Sequence, residues 1–220
     1  MWEFAHLSDH FKDINSLDLV PRTAASAGVA GGRLFIGGIG ALHEEPDPLP
    51  ARRITHVLSV LDHDVREKRP LTGYRHLWLQ VEDSPEENLL RHFEKTNAFI
   101  ASGLKSRSRS SQRDGERDGG EGDGGVFVHC AMGVSRSATI VCAYLMWEGK
   151  CSTKEALEQL REGRSCCRPN DGFMKQLEVY EKILRAESEG ERESIYGEWV
   201  KQQYSHDRER LEMETRRSKL

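Results

Sequence analysis

No apolar run in this 220-residue chain approaches the roughly 18 residues that a membrane-spanning helix requires, so no spanning segment is expected. The start, Met1-Trp2-Glu3-Phe4-Ala5-His6, has neither the basic opening nor the apolar stretch of a secretory signal. Cysteine is scarce: Cys130, Cys142, Cys151, Cys166 and Cys167 make an odd number, and none stands in a Cys-x-x-Cys pair. That spacing argues against a disulfide framework and against a structural zinc site, and no cofactor is called for. A net charge of −4 with a pI near 6.2 lacks the basic excess of a general nucleic-acid binder. The chain thus reads as cytoplasmic or nuclear, with reduced thiols.

Hydrophobic residues make up 37%, enough for a real core in one domain of ordinary size with accessory segments. Charged residues reach 31%, above the usual share of about 25%, which points to polar tails or loops on that domain. Strand signals begin at Arg33-Leu34-Phe35-Ile36, which runs into Gly37-Gly38, read as a turn. The run Ile54 to Leu61 is β-branched, apolar and short, as a strand buried on both faces should be. Tyr74 to Val81 alternates, and Val126-Phe127-Val128-His129 is a fourth strand. Helical patterns cover 86–102, 135–147, 153–162 and 170–184, the third opened by Ser152 or Thr153 with Glu155 in its first turn. Strands alternating with helices predict an α/β fold with a central, mostly parallel sheet flanked by helices.

Two segments break the pattern. Residues 105–125 hold six Gly, four Ser, one Gln and ten charged residues and no apolar side chain, so a disordered insertion is expected there. From Glu187 onward 16 of 34 residues are charged, while Ile195, Tyr196, Trp199, Val200 and Tyr204 recur at helical spacing. The expected organisation is an N-terminal extension over 1–26, a catalytic domain over 27–186, and a charged helix or connector over 187–220.

The strongest feature is His129-Cys130-Ala131-Met132-Gly133-Val134-Ser135-Arg136-Ser137. A buried strand delivers Cys130 to a short loop that enters a helix directly. Backbone N–H groups from Ala131 to Arg136 can curl around one point, at the positive end of the helix dipole. Gly133 is read as keeping a Cβ out of the way of a bound anion. Arg136, six residues after Cys130, offers a planar fork matched to two oxygens of a phosphate. The same positive field favours a thiolate at Cys130, ready to attack the phosphorus of the anion held above it.

This nonapeptide resembles the signature of the cysteine-dependent protein phosphatases, in particular the small dual-specificity branch. The resemblance runs from about Arg33 to Leu184 and includes Ile54 to Val60, Val81-Glu82-Asp83, and Arg168-Pro169-Asn170-Asp171-Gly172-Phe173. Within the branch it is most similar to fungal members related to the dual-specificity phosphatase 12 type, which carry a C-terminal zinc-binding domain and are associated with late assembly of the large ribosomal subunit. No second cysteine and histidine cluster follows Cys167, so the zinc domain is expected to be missing and the ribosomal role to lie largely outside this chain.

The resemblance implies the cysteine-phosphatase fold, Asp83 as the acid that protonates the leaving oxygen, His129 as a support for the Cys130 loop, and Ser137 as a donor to the departing sulfur. Glu82 is the rival carboxylate; on a strand edge it and Asp83 point opposite ways. Asn170 reads as a helix cap and loop support, and Cys142 as packing. The expected activity is hydrolysis of phosphotyrosine and phosphoserine or phosphothreonine monoesters through a phosphocysteine. The alternative is a ribosome-assembly or scaffolding factor whose pocket is secondary. Phosphoproteins are the expected partners, with pre-ribosomal particles for a full-length protein, and neither a membrane nor direct nucleic-acid contact.

Overall fold

Alternation of side chains along the central strands decides which residue meets which layer. A computed structural model of the chain describes residues 16–22, 32–67, 69–106 and 123–217, with side chains through residue 203. Five strands form one sheet: β1 (Leu17–Leu19), β2 (Arg33–Gly38), β3 (Ile54–Leu61), β4 (Arg75–Gln80) and β5 (Gly125–Cys130), in spatial order β1-β2-β5-β3-β4. β1 runs antiparallel to β2, and every other pairing is parallel. The architecture is α/β with β5 at the centre of the sheet. Six helices accompany it among the described residues: α1 (Pro48–Ala51), α2 (Phe93–Leu104), α3 (Arg136–Gly149), α4 (Thr153–Gly163), α5 (Asp171–Arg185) and α6 (Glu189–Arg217).

One sheet face presents Leu34, Ile36, Leu58, Val60, Val126 and Val128 to Phe93, Ile100, Ile140, Tyr144 and Leu177 of α2, α3 and α5. The other presents Phe35, Val57, Leu61 and Phe127 to Leu42, Leu49 and Leu71 from short elements. Each such buried side chain contributes about 1.5–3 kcal/mol. α3 is the middle of the helical layer and is buried from Arg136 through Met146, which fixes the direction of its N-terminus. α4 starts as its sequence requires. Ser152 accepts from the Glu155 N–H while Glu155 accepts from the Ser152 N–H, a complete capping box.

Four boundaries differ from expectation. Residues 16–22, set apart as an extension, include the edge strand β1, with Leu17 and Val20 buried. Gly37 and Gly38 are not a turn but the end of β2, paired with His129 and Cys130. A Cβ on Gly37 would lie 2.3 Å from the Ser16 carbonyl oxygen, so glycine is what lets β1 approach. The helix expected from residue 86 begins at Phe93, preceded by a 3₁₀ turn over Leu90–His92. The Leu89 and Leu90 N–H groups that open this turn are capped by Gln176 of α5, a partner no local pattern announces. The stripe on α6 packs on the domain, with Trp199 buried and Tyr196 and Val200 half-buried against the core; Tyr204 lies outside the described side chains.

The ends of the expected 105–125 insertion belong to the fold. Gly125 opens β5, the Gly124 N–H donates to the Ser106 carbonyl at 2.8 Å, and the Arg33 N–H donates to the Gly124 carbonyl at 3.1 Å. Residues 107–122 lie outside the described residues. Excising Lys105 to Gly125 whole would therefore remove part of the sheet. Replacing only residues 107–122 by a short Gly/Ser bridge should leave the fold intact, because closure entropy varies weakly with length. Thermal melting should shift by less than about 4 °C, the equivalent of about 1 kcal/mol in a domain of this size. A larger drop would show that the segment packs.

Candidate active site

Cys130 ends β5 on the helix-facing parity of Val126 and Val128, and its side chain is 1% exposed. Its sulfur lies 3.2 Å from the Gly133 N–H and 3.2 Å from the Ser137 hydroxyl, which stands one helical turn further along the chain's path into α3. The loop from Ala131 to Ser135 joins the strand to the helix, and each of its carbonyls is tied on the outer side. Ala131 O accepts from the Ile39 N–H at 3.1 Å, and Val134 O from the Arg168 N–H at 2.7 Å. Met132 O and Gly133 O accept from the Arg164 guanidinium, each at 2.9 Å. Ser135 O accepts from the Thr139 N–H and hydroxyl at 2.9 and 2.8 Å. A planar peptide points its N–H opposite its C=O, so this arrangement turns the donors inward around the space above Cys130.

Two details complete the cradle. Ser135 occupies the N-cap position of α3 yet makes no cap hydrogen bond; its hydroxyl donates to Asp83 Oδ1 at 2.7 Å instead. The first-turn N–H groups of α3 are thereby left for an anion, at the positive end of the helix. Gly133 has φ +72°, and a Cβ there would lie 2.4 Å from the Gly37 carbonyl carbon. Its glycine is thus required by the backbone conformation and by close packing on β2 beneath, rather than by clearance for the anion above.

Arg164 is the residue that sequence reasoning missed. It is 3% exposed, with Nε on Gly133 O and one terminal nitrogen on Met132 O. The other terminal nitrogen donates to the Ser16 hydroxyl at 2.6 Å and forms an ion pair with Asp18 of β1. The edge strand therefore holds the cradle through one guanidinium. Only the fold brings Ser16, Asp18 and Arg164 together.

Asp83 follows β4 in a loop and is brought to the cradle, whereas Glu82 makes none of its contacts. Asp83 Oδ1 accepts from Ser135 and from the Asn170 side-chain N–H at 2.9 Å, while Oδ2 lies 3.7 Å from Arg136 Nε. Asn170 also caps α5 through its Oδ1 and the Phe173 N–H at 2.9 Å. Arg136 is 7% exposed and donates one terminal N–H to the Val81 carbonyl at 3.1 Å; its Nε is buried with no hydrogen bond, Asp83 standing at ion-pair distance only. An N–H on a buried cation that makes no hydrogen bond is costly unless a ligand takes it, and a phosphate oxygen would.

His129 points to the opposite sheet face, fully buried and stacked on Phe127 with 5.2 Å between centroids. Burial pushes its pKa down to about 3, so the ring is neutral at any working pH. Its Nδ1 faces the Cys130 carbonyl at 3.4 Å, which can only accept, so Nδ1 carries the proton. Nε2 then accepts from the Ser59 hydroxyl at 2.6 Å, and Ser59 accepts in turn from His76 Nε2 at 2.8 Å. The ring is held in one tautomer as a strut behind the loop. Cys142 is fully buried in α3, where desolvation raises its thiol far above the ordinary range, in keeping with packing.

Arg164→Lys should separate the two duties of Arg164. An ammonium can still pair with Asp18 but cannot reach two carbonyls with a planar fork. Arg164→Leu strands Asp18 and should cost about 3–5 kcal/mol of stability. Denaturant melts should show Lys recovering most of that loss, while vanadate inhibition constants rise about tenfold or more in both variants. Unchanged vanadate binding in the Lys variant would show that the cradle stands without the fork.

The family description "Dual specificity phosphatase, catalytic domain" matches residues 117–183. The tyrosine-protein phosphatase yvh1 of Schizosaccharomyces pombe is 44% identical over 106 residues, which span 48% of this chain and 27% of that longer protein. Dual specificity protein phosphatase 22 of Homo sapiens is 35% identical over 172 residues, 78% of either chain. Among solved structures, the Yvh1 phosphatase domain from Chaetomium thermophilum superposes with a TM-score of 0.58 at 35% identity, covering 75% of this chain and 95% of that one. Human DUSP28 gives 0.57 at 30% identity over 77% and 95%. The likeness extends along nearly the whole of these catalytic domains and includes the loop around Cys130, so the chain belongs to the dual-specificity phosphatase family and is a protein phosphatase.

Proposed function

We propose that Cys130 is the nucleophile for phosphotyrosine and phosphoserine or phosphothreonine monoesters of proteins. The reading rests on one observation: the loop carbonyls are all tied outward around the Cys130 sulfur, and the buried Arg136 Nε at the start of α3 is left without a hydrogen bond. The backbone N–H groups of Ala131, Met132, Gly133, Val134, Ser135 and Arg136, with the Arg136 fork, hold the phosphoryl oxygens and the charge that builds on them. The sulfur attacks phosphorus as the ester oxygen leaves, and that oxygen takes a proton from Asp83. Oδ2 is the carboxyl oxygen not engaged by Ser135 and Asn170, and it carries this proton. Water then attacks phosphorus and gives a proton back to Asp83. The S–P bond breaks, and Ser137 donates a hydrogen bond to the departing thiolate.

The identity with the Schizosaccharomyces pombe protein and the Chaetomium thermophilum domain supports placing the chain in the fungal branch related to the dual-specificity phosphatase 12 type. Pre-ribosomal particles are the partners that this branch suggests, and the cytoplasm or nucleus is the location that suits five cysteines without a disulfide. Pull-down from a fungal extract with the Cys130→Ser variant distinguishes the two partner classes by what it retains.

Cys130→Ser should abolish turnover of an aryl phosphate, since an alcohol stays protonated where a thiolate attacks. Residual activity within tenfold of the parent would refute the covalent route. Arg136→Lys should weaken vanadate binding and turnover together.

Asp83→Asn keeps the shape of the side chain but removes the transferable proton, and should lower kcat by roughly 10²–10⁴-fold, the usual worth of general acid–base catalysis. A loss of that size in Glu82→Gln and none in Asp83→Asn would move the role to Glu82.

A further inference from the structure

The loop that carries Asp83 is stitched along its length to α5. Asn170, at the cap of α5, holds Asp83 Oδ1. Two residues on, a Cβ at Gly172 would lie 2.0 Å from the Pro85 carbonyl oxygen, so only glycine admits the loop against the first turn. One further turn along, Gln176 makes three hydrogen bonds to loop backbone while 2% exposed. Its Oε1 accepts from the Leu89 and Leu90 N–H groups at 2.8 and 2.9 Å, and its Nε2 donates to the Glu87 carbonyl at 2.8 Å. Gly172 and Gln176, four residues apart, share one face of α5, and together with the cap residue Asn170 they engage successive parts of the segment from 83 to 90. On the far side, Asn88 donates to the Tyr196 hydroxyl of α6 at 3.3 Å.

We propose that Gln176 is a positioning residue for the general acid, fixing the loop from behind so that Asp83 is already in place before substrate arrives. The inference rests on Asp83 being the acid. Two backbone N–H groups fill the amide oxygen and a backbone carbonyl takes one amide N–H, and no hydrocarbon of the same size can replace them. Without them the Leu90 N–H loses its partner and the Leu89 N–H and Glu87 carbonyl keep only each other, at 3.2 Å, so the middle of the loop is held from α5 by the Asn170 cap and the Gly172 contact alone. The phosphate cradle does not touch Gln176 and should keep its affinity. Proton delivery, which tolerates little displacement, should suffer.

The test is leaving-group dependence in the full chain. Turnover of aryl phosphates running from dinitrophenyl phosphate to phenyl phosphate is measured for the parent, Gln176→Leu, Gln176→Glu and Asp83→Asn, with phosphate inhibition constants alongside. Nitrophenolates depart nearly unaided, whereas phenolate needs the proton. Gln176→Leu should lower kcat on phenyl phosphate by about 10–100-fold and on dinitrophenyl phosphate by less than about threefold, with phosphate inhibition unchanged. Gln176→Glu keeps the acceptor for Leu89 and Leu90 but not the donor to Glu87, and should fall between; it carries the test if the Leu variant lacks a cooperative melt. A loss equal across the series, or none, overturns the inference while Asp83→Asn still shows the dependence. Absence of the dependence in Asp83→Asn removes the acid assignment itself, and this inference with it.

Discussion

Outward hydrogen bonding of five consecutive loop carbonyls is the constraint on which the rest of this protein depends. A strand-to-helix loop left to itself has no reason to direct its N–H groups to one point, since that places like partial charges side by side. Here the cost is offset from behind by the Ile39 N–H just past β2, by the Arg168 N–H, by Thr139 of α3 and by Arg164. The attachment to β1 through Ser16 and Asp18 extends that support to the sheet edge. Distant parts of the chain are therefore committed to holding a few peptide planes in orientation.

The same economy appears in how polar groups are shared. Ser135 gives its hydroxyl to Asp83 and accepts from the Asn170 N–H at 3.1 Å, so one side chain joins the cradle, the loop after β4 and the start of α5. Asn170 caps a helix with its oxygen and holds Asp83 with its nitrogen. His129 and Ser59 supply a neutral strut from the other face of the sheet. None of these groups reacts, and each has its donors and acceptors engaged by a specific neighbour, which is what keeps a buried polar network rigid.

Legibility in the sequence followed the range of the interaction. β3 was readable to the residue because burial on both faces produces a short, mostly apolar run rich in β-branched residues, and the start of α4 because its capping box is local. The span from Cys130 to Arg136 was readable because strand, loop and helix are consecutive. β1 was not, since three residues carry no period and their place depends on Gly37 lacking a side chain. Arg164 sits 146 residues from Asp18, and Gln176 is 87 residues from Leu89. Contacts of that separation leave no trace in spacing. The Gly133 role was misread for a related reason: the neighbour that requires glycine is β2, far away in sequence.

The uncapped N-terminus of α3 has a consequence for turnover. In the proposed mechanism the cradle's donors meet phosphoryl oxygens and nothing of the group that leaves, so inorganic phosphate is expected to fit it as the ester does. Product inhibition by phosphate is the expected result. Discrimination between peptide and free phosphate has to come from side chains rather than from the loop backbone, and the Met132 side chain stands 45% exposed on that loop.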